Sequence, residues 1–160
     1  MLFVMLSKYH YWAYQQLYSV IEQVDDENYH KENGLFFNSI HGTLNHLLLV
    51  DRLWYSRFNH QPCKITDLGL IIIKDRNELK QAIFAQVDLW IEFTKKAANG
   101  IAPATLTYHD TKGIFKVADY QQTLCHAFNH GTHHRGQISV ALTQLGKLAP
   151  EMDLIYFKNT

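Results

Sequence analysis

The stretch LCHAFNHGTHHRGQISVALTQLG, residues 124–146, places His126, His130, His133 and His134 within nine positions and then continues as an apolar stripe to a glycine. At about 100° per residue, Ala127, Ile138, Ala141 and Leu145 fall on one side of a helix. His130 and His134 fall within that stripe, one turn apart. His126 sits on its margin, and His133 lies further toward solvent. The segment reads as a long helix over residues 119–146 with two imidazoles on its inward face. An i, i+4 pair of imidazoles can meet one ion, as it does in helical HExxH zinc sites.

The same periodicity marks three more helices upstream. Residues 3–24 repeat apolar side chains (Val4, Met5, Tyr11, Trp12, Leu17, Tyr18, Ile21) with no internal Gly or Pro. Residues 25–37, DDENYHKENGLFF, are polar, carry a glycine and read as a loop. Asn38 or Ser39 can then cap a helix over 39–59 by accepting a bond from a free N–H. A loop with Pro62 and Gly69 follows, in which LGLIII is a candidate extended piece. Asp75 can cap a helix over 75–98, closed by Asn99 and Gly100. Residues 104–118 differ in kind: two β-prone runs flank DTKG, as in a hairpin. A short tail follows Pro150. The expected fold is all-α: an antiparallel four-helix bundle in a single domain over 1–160, with a small β-hairpin inserted before the last long helix.

Composition narrows the function classes. Lys plus Arg and Asp plus Glu number 15 each in 160 residues. A neutral chain without a Lys/Arg cluster offers no footprint for nucleic acid, so none is expected as a partner. No apolar run reaches the length of a spanning helix, and the N-terminus lacks the basic region of a signal peptide, so a cytoplasmic protein without a membrane partner is expected. Cys63 and Cys125 fit no CxxC spacing and suit a reduced protein, with Cys125 read as a small buried hydrophobe.

A second wheel adds a third imidazole. On the helix predicted over 39–59, Val50 and Leu53 fall within about 40° of His46, which puts His46 in the middle of an apolar face. His41 falls nearly opposite and is expected in solvent. A lone histidine on an apolar face is ordinarily a hydrogen-bonded core residue. Three that converge from two helices are a candidate site for a divalent ion such as zinc or nickel, with a fourth position open to water or a thiol. His126 and Gln137 are candidates for the hydrogen-bonding partners that orient such ligands. His10, His30, His60, His109 and His133 are expected at the surface or in caps. Tyr9, Tyr11, Trp12 and Trp54 read as packing aromatics, Asp51 as solvated or paired between helices, and Arg135 as lying off the inward face.

SIHGTLNHLLLVDRLWYSRF at 39–58 and HAFNHGTHHRGQISVALTQLG at 126–146 resemble the DinB family of damage-inducible-type proteins. YHYWAYQQLY at 9–18 and DLIYF at 153–157 extend the resemblance over the whole chain, most specifically in the NHxTHHRGQ signature. Tyr14 departs from the asparagine that the family often carries. The resemblance implies a bundle of the DinB/YfiT type, commonly a homodimer, with a divalent metal on one histidine of the second helix and two of the fourth. Those positions match His46, His130 and His134, the three that the wheels select. Related bundles include thiol-dependent S-transferases and a mycothiol-dependent maleylpyruvate isomerase, in which a metal-bound thiolate attacks.

Two functions follow as expectations. The first is a metal-dependent enzyme that activates a low-molecular-weight thiol or water toward a small-molecule substrate, S-transferase-like, in detoxification or stress response. The second is a non-catalytic, stress-induced protein in which a structural metal staples two helices.

Overall fold

Each long helix after the first starts where a short polar side chain takes up a free backbone N–H. The computed structural model describes residues 1–158. In chain order they form α1 (Leu2–Ile21), α2 (Asp26–His30), α3 (Ile40–Phe58), α4 (Arg76–Ala98), β1 (Thr105–His109), β2 (Phe115–Asp119), α5 (Tyr120–Gln144) and a closing 3-10 turn (Leu154–Tyr156). Ser39 accepts from the Gly42 N–H to cap α3, Asp75 from Asn77 and Glu78 to cap α4, and Asp119 from Gln122 to cap α5. Past the end of α5, Gly146 takes the left-handed conformation, φ 72°, that favours glycine.

The protein is mostly helical. α1 packs against α4 and α5, and α3 packs against the same two helices. β1 and β2 pair antiparallel, from Thr105 opposite Asp119 to His109 opposite Phe115, so the hairpin predicted around DTKG is present. The core divides into two clusters. One is largely aliphatic with tyrosines, built on Leu17, Ile21, Leu44, Leu47, Leu48, Ile83, Val87 and Ile138. The other, at the hairpin end, is aromatic and centres on Phe58, Trp90, Tyr120 and Phe128. Completely burying each such side chain stabilises by about 1.5–3 kcal/mol.

Three expectations change. The loop predicted over 25–37 contains α2, a helix too short to show a period, capped by Asp25 and anchored by buried Tyr29. That anchoring also buries His41, expected in solvent: its ring lies 5.3 Å from Tyr29 and 4.5 Å from His30. The LGLIII segment, expected as an extended piece, opens with a turn at 68–69 and pairs with no strand among the described residues; instead the Ile72 and Ile73 N–H groups both donate to Asn45 Oδ1 at 3.0 Å.

Candidate metal centre

The segment between α3 and α4 runs back along α3, and Asn45 clasps it. Besides accepting from Ile72 and Ile73, Asn45 donates to the Ile73 carbonyl at 3.1 Å. One residue on, His46 uses the same segment: Nδ1 lies 2.9 Å from the Leu68 carbonyl. A carbonyl can only accept, so Nδ1 carries the proton and Nε2 presents a lone pair to the interior. The turn before α3 closes the other side. Phe37 stacks on His46 with ring centroids 3.7 Å apart and 17° between planes. Gly42 permits this approach, since a Cβ there would lie 2.0 Å from the Phe37 carbonyl oxygen.

α5 supplies the rest. His134 Nδ1 lies 2.7 Å from Gln137 Oε1, and Gln137 Nε2 lies 3.2 Å from His133 Nε2. With the amide oxygen accepting, His134 also keeps its proton on Nδ1 and directs Nε2 inward. His130 Nε2 stands 3.2 Å from His46 Nε2. Taken together, His46, His130 and His134 each offer a nitrogen, all within 4.8 Å of one another. Two imidazole nitrogens bound to one zinc at ordinary bond lengths in a tetrahedron stand about 3.3 Å apart, so the His46–His130 separation suits a shared ion.

Electrostatics agree with that use. Burial pushes His46 down to about 4, with the Leu68 carbonyl opposing. Burial, then the neighbouring imidazoles, pushes His130 down to about 3. Burial lowers His134 as well, against the Gln137 hydrogen bond. All three are neutral at pH 7, the form that binds a metal. His130 is only partly buried, which leaves the cluster an open side. That side is framed by His126, exposed, whose ring lies 6.0 Å from His130 and 5.5 Å from Trp54. Trp54 is partly buried and packs against the aromatic cluster.

The DinB family model matches residues 2–160. The chain belongs to the DinB family. It is 27% identical over 154 residues to Protein DinB of Bacillus subtilis (strain 168), a match that covers 92% of this chain and 88% of that protein.

A second buried histidine was expected at the surface. His10 is fully buried, because a polar pair waits for it between α3 and α5. Its Nε2 lies 3.2 Å from Asp51 Oδ2 and its Nδ1 2.8 Å from Arg135 Nη1. Arg135 can only donate, so His10 accepts on Nδ1 and donates Nε2–H to Asp51. Arg135, expected off the inward face, is buried here at 1% exposure and also donates to Thr132. Gly131 is required for this packing: a Cβ would lie 2.3 Å from His10 Cε1.

Cys125 is exposed rather than buried. It lies about 140° around α5 from His130, where it lines a cavity of about 570 Å³ with Asn129, Thr132, Gly136 and Met152. None of the three clustered histidines lines that cavity. His46 lines another, of about 470 Å³, with Phe37, Leu68 and Ile71. The Leu68 carbonyl and the Asn45 clasp were not singled out in the sequence. A backbone acceptor leaves no side-chain signature, and Asn45 gave only the weak signal of an amide inside a long apolar helix.

Proposed function

We propose that this DinB-family chain is a metal-dependent enzyme acting on a small molecule. His46, His130 and His134 would hold a divalent ion, zinc or nickel, with one position open to a low-molecular-weight thiol or water. The observation that carries this reading is the convergence of three neutral imidazoles, two with protons fixed outward on Leu68 and Gln137, on one partly open point. When bound, such an ion acts as a Lewis acid and lowers the pKa of a thiol or water beside it. The protein's own groups do the rest. Leu68 and Gln137 hold two rings in the tautomer that presents Nε2. Phe37 covers one face of the His46 ring. His126 and Trp54 form the wall along which a substrate would approach.

The reaction favoured is S-transferase-like, in detoxification or stress response. The same reading makes the four long helices an antiparallel bundle in one domain, working as a homodimer. Elemental analysis of untagged protein beside His130→Ala tests it, followed by thiol titration of cobalt-substituted wild type. About one metal per chain, lost in the variant, with a cobalt spectrum that thiols perturb, supports the proposal. A metal blind to every thiol and to solvent exchange would make the ion a staple between α3 and α5. No metal in either protein would end the reading.

A further inference from the structure

Arg57 stands eleven residues beyond His46 on α3. Eleven residues complete about three turns, so both side chains lie on one face, about 16 Å apart along the axis. The guanidinium packs against an edge-on pair of rings, 4.5 Å from the Trp54 centroid and 4.5 Å from that of Tyr108. Nη2 donates to the His109 carbonyl at 3.0 Å, while Nε is buried with no hydrogen-bond partner. Among the described residues no carboxylate lies within ion-pair distance of Arg57. The acid on the same cleft, Asp110, is engaged elsewhere: it accepts from the Lys112 and Ile114 N–H groups at 2.9 Å and pairs with Lys116 at 3.6 Å. Burial holds the guanidinium below its ordinary range, the mark of a cation desolvated without a full counter-charge. A planar cation fixed in this way is one preformed half of a fork–fork pair.

Arg57 lines a cleft of about 360 Å³ between the end of α3, the 60–65 segment and β1, and Lys64 adds a second positive charge. A row of rings leads from the cleft back to the histidine cluster. Trp54 lies 5.3 Å from Tyr108 and 5.5 Å from His126, and His126 lies 6.0 Å from His130.

We infer that Arg57, assisted by Lys64, is a subsite for an oxyanion, a carboxylate or a phosphate, at the far end of an elongated small molecule whose reacting end lies at His46, His130 and His134. The placement of the reacting end rests on the proposed function; the anion site itself does not. The substrate class is then anionic at one end, with a middle that passes Trp54 and His126.

Two measurements separate the claims. In the first, the Arg57 guanidinium N–H resonances are followed by NMR as succinate, then inorganic phosphate, is added to wild type and to His130→Ala. A saturable shift in both proteins is expected, and the stronger of the two anions names the source. Resonances that stay still for both anions would overturn the subsite and leave Arg57 as a packing group against two rings. In the second, cobalt-substituted protein is titrated with a long ω-mercapto acid, mercaptoundecanoate, and its alcohol, mercaptoundecanol, and with the short pair mercaptopropionate and mercaptopropanol. The long acid should bind about tenfold or more tighter than the long alcohol, the weight of a charge-assisted pair, while the short pair shows no such preference. Arg57→Met should erase the preference without changing alcohol binding, and Arg57→Lys should keep part of it. A preference that survives Arg57→Met also overturns the inference. A cobalt spectrum blind to all four thiols, with the Arg57 resonances still shifting, would remove the proposed reaction and leave the anion site standing.

Discussion

Two groups of buried imidazole join α3 to α5, and they differ in what their nitrogens have left to do. In the His10 group both ring nitrogens are spoken for, one by Asp51 of α3 and one by Arg135 of α5. The acid, the base and the ring form a closed chain inside the core, sealed by Phe128 at 5.8 Å and Tyr14 at 5.0 Å. In the His46 group, two rings spend their outer nitrogens on Leu68 and Gln137, and the inner nitrogens meet only one another. A buried polar atom without a partner is costly. The first group removes that cost with protein atoms, and the second is arranged so that a cation would remove it. Partner count, not burial, separates His10, whose ring is fully engaged, from the three histidines that could hold a metal ion.

The largest effect should come from opening the closed group. Asp51→Ala leaves Arg135 charged and buried with a neutral imidazole as its neighbour. Loss of one member of a buried pair costs about 3–5 kcal/mol, a fall in Tm of about 10 °C at this chain length. Thermal unfolding measures it, and metal content per folded chain should be unchanged. A variant that melts with the wild type would mean that the network contributes nothing net; one that loses its metal would mean that the two groups are not separate.

Next comes the open group, where removal of a ring should cost the apo fold little and the loaded fold much. With free zinc at about a hundred times Kd, wild type should gain about 2.7 kcal/mol, a rise in Tm of about 5–10 °C. His130→Ala should show no rise. An equal rise in both proteins would place the zinc elsewhere. Gln137→Ala is the subtler change: it spares every candidate ligand, and among them frees the ring of His134, besides that of exposed His133. Orienting partners of this kind are worth about 10–100-fold in metal affinity, read by competition with a chromophoric chelator. No change would mean that His134 needs no orientation, and a total loss would mean that Gln137 does more than orient.

The comparison also shows what a sequence makes legible. His46, His130 and His134 stood out because two helical periods pointed them at one another, and helix periods are local information. The hairpin and the caps at Ser39 and Asp75 are equally local, and the structure has them. His10 was misplaced because its partners lie 41 and 125 residues away. On its own helix nothing marks the pairing, and Gly131, the small residue that makes room for its ring, reads as an ordinary helix weak point until the clash distance is known. His41 failed for the same reason, since α2 covers it, whereas the exposure of Cys125 was legible on its own helix, about 140° around α5 from His130. The Leu68 carbonyl could not be seen at all, because the chain's path back along α3 is a tertiary fact.

The smallest effect concerns protons. Free histidine titrates near 6.5, whereas His46 and His130 are held down to about 4 and about 3. A group with a depressed folded pKa binds its proton more readily in the unfolded chain. Stability is therefore fully present above about pH 6.5 and falls as pH drops toward 4 and 3. The metal-free protein should lose Tm through that window, and His130→Ala should lose less. The same shifts set the stoichiometry of metal binding. At pH 5.5 an unperturbed three-histidine site would be mostly protonated and would release protons as zinc entered. Here burial already holds His46 and His130 neutral, so zinc should release fewer protons than it would from an unperturbed site. Calorimetry at pH 5.5 in two buffers of different ionisation enthalpy gives the number directly. Equal heats in the two buffers would show that burial has prepared the open group for a cation. Release of about two protons would show that the rings are hydrated in solution, and that their neutrality comes from the ion rather than from the fold.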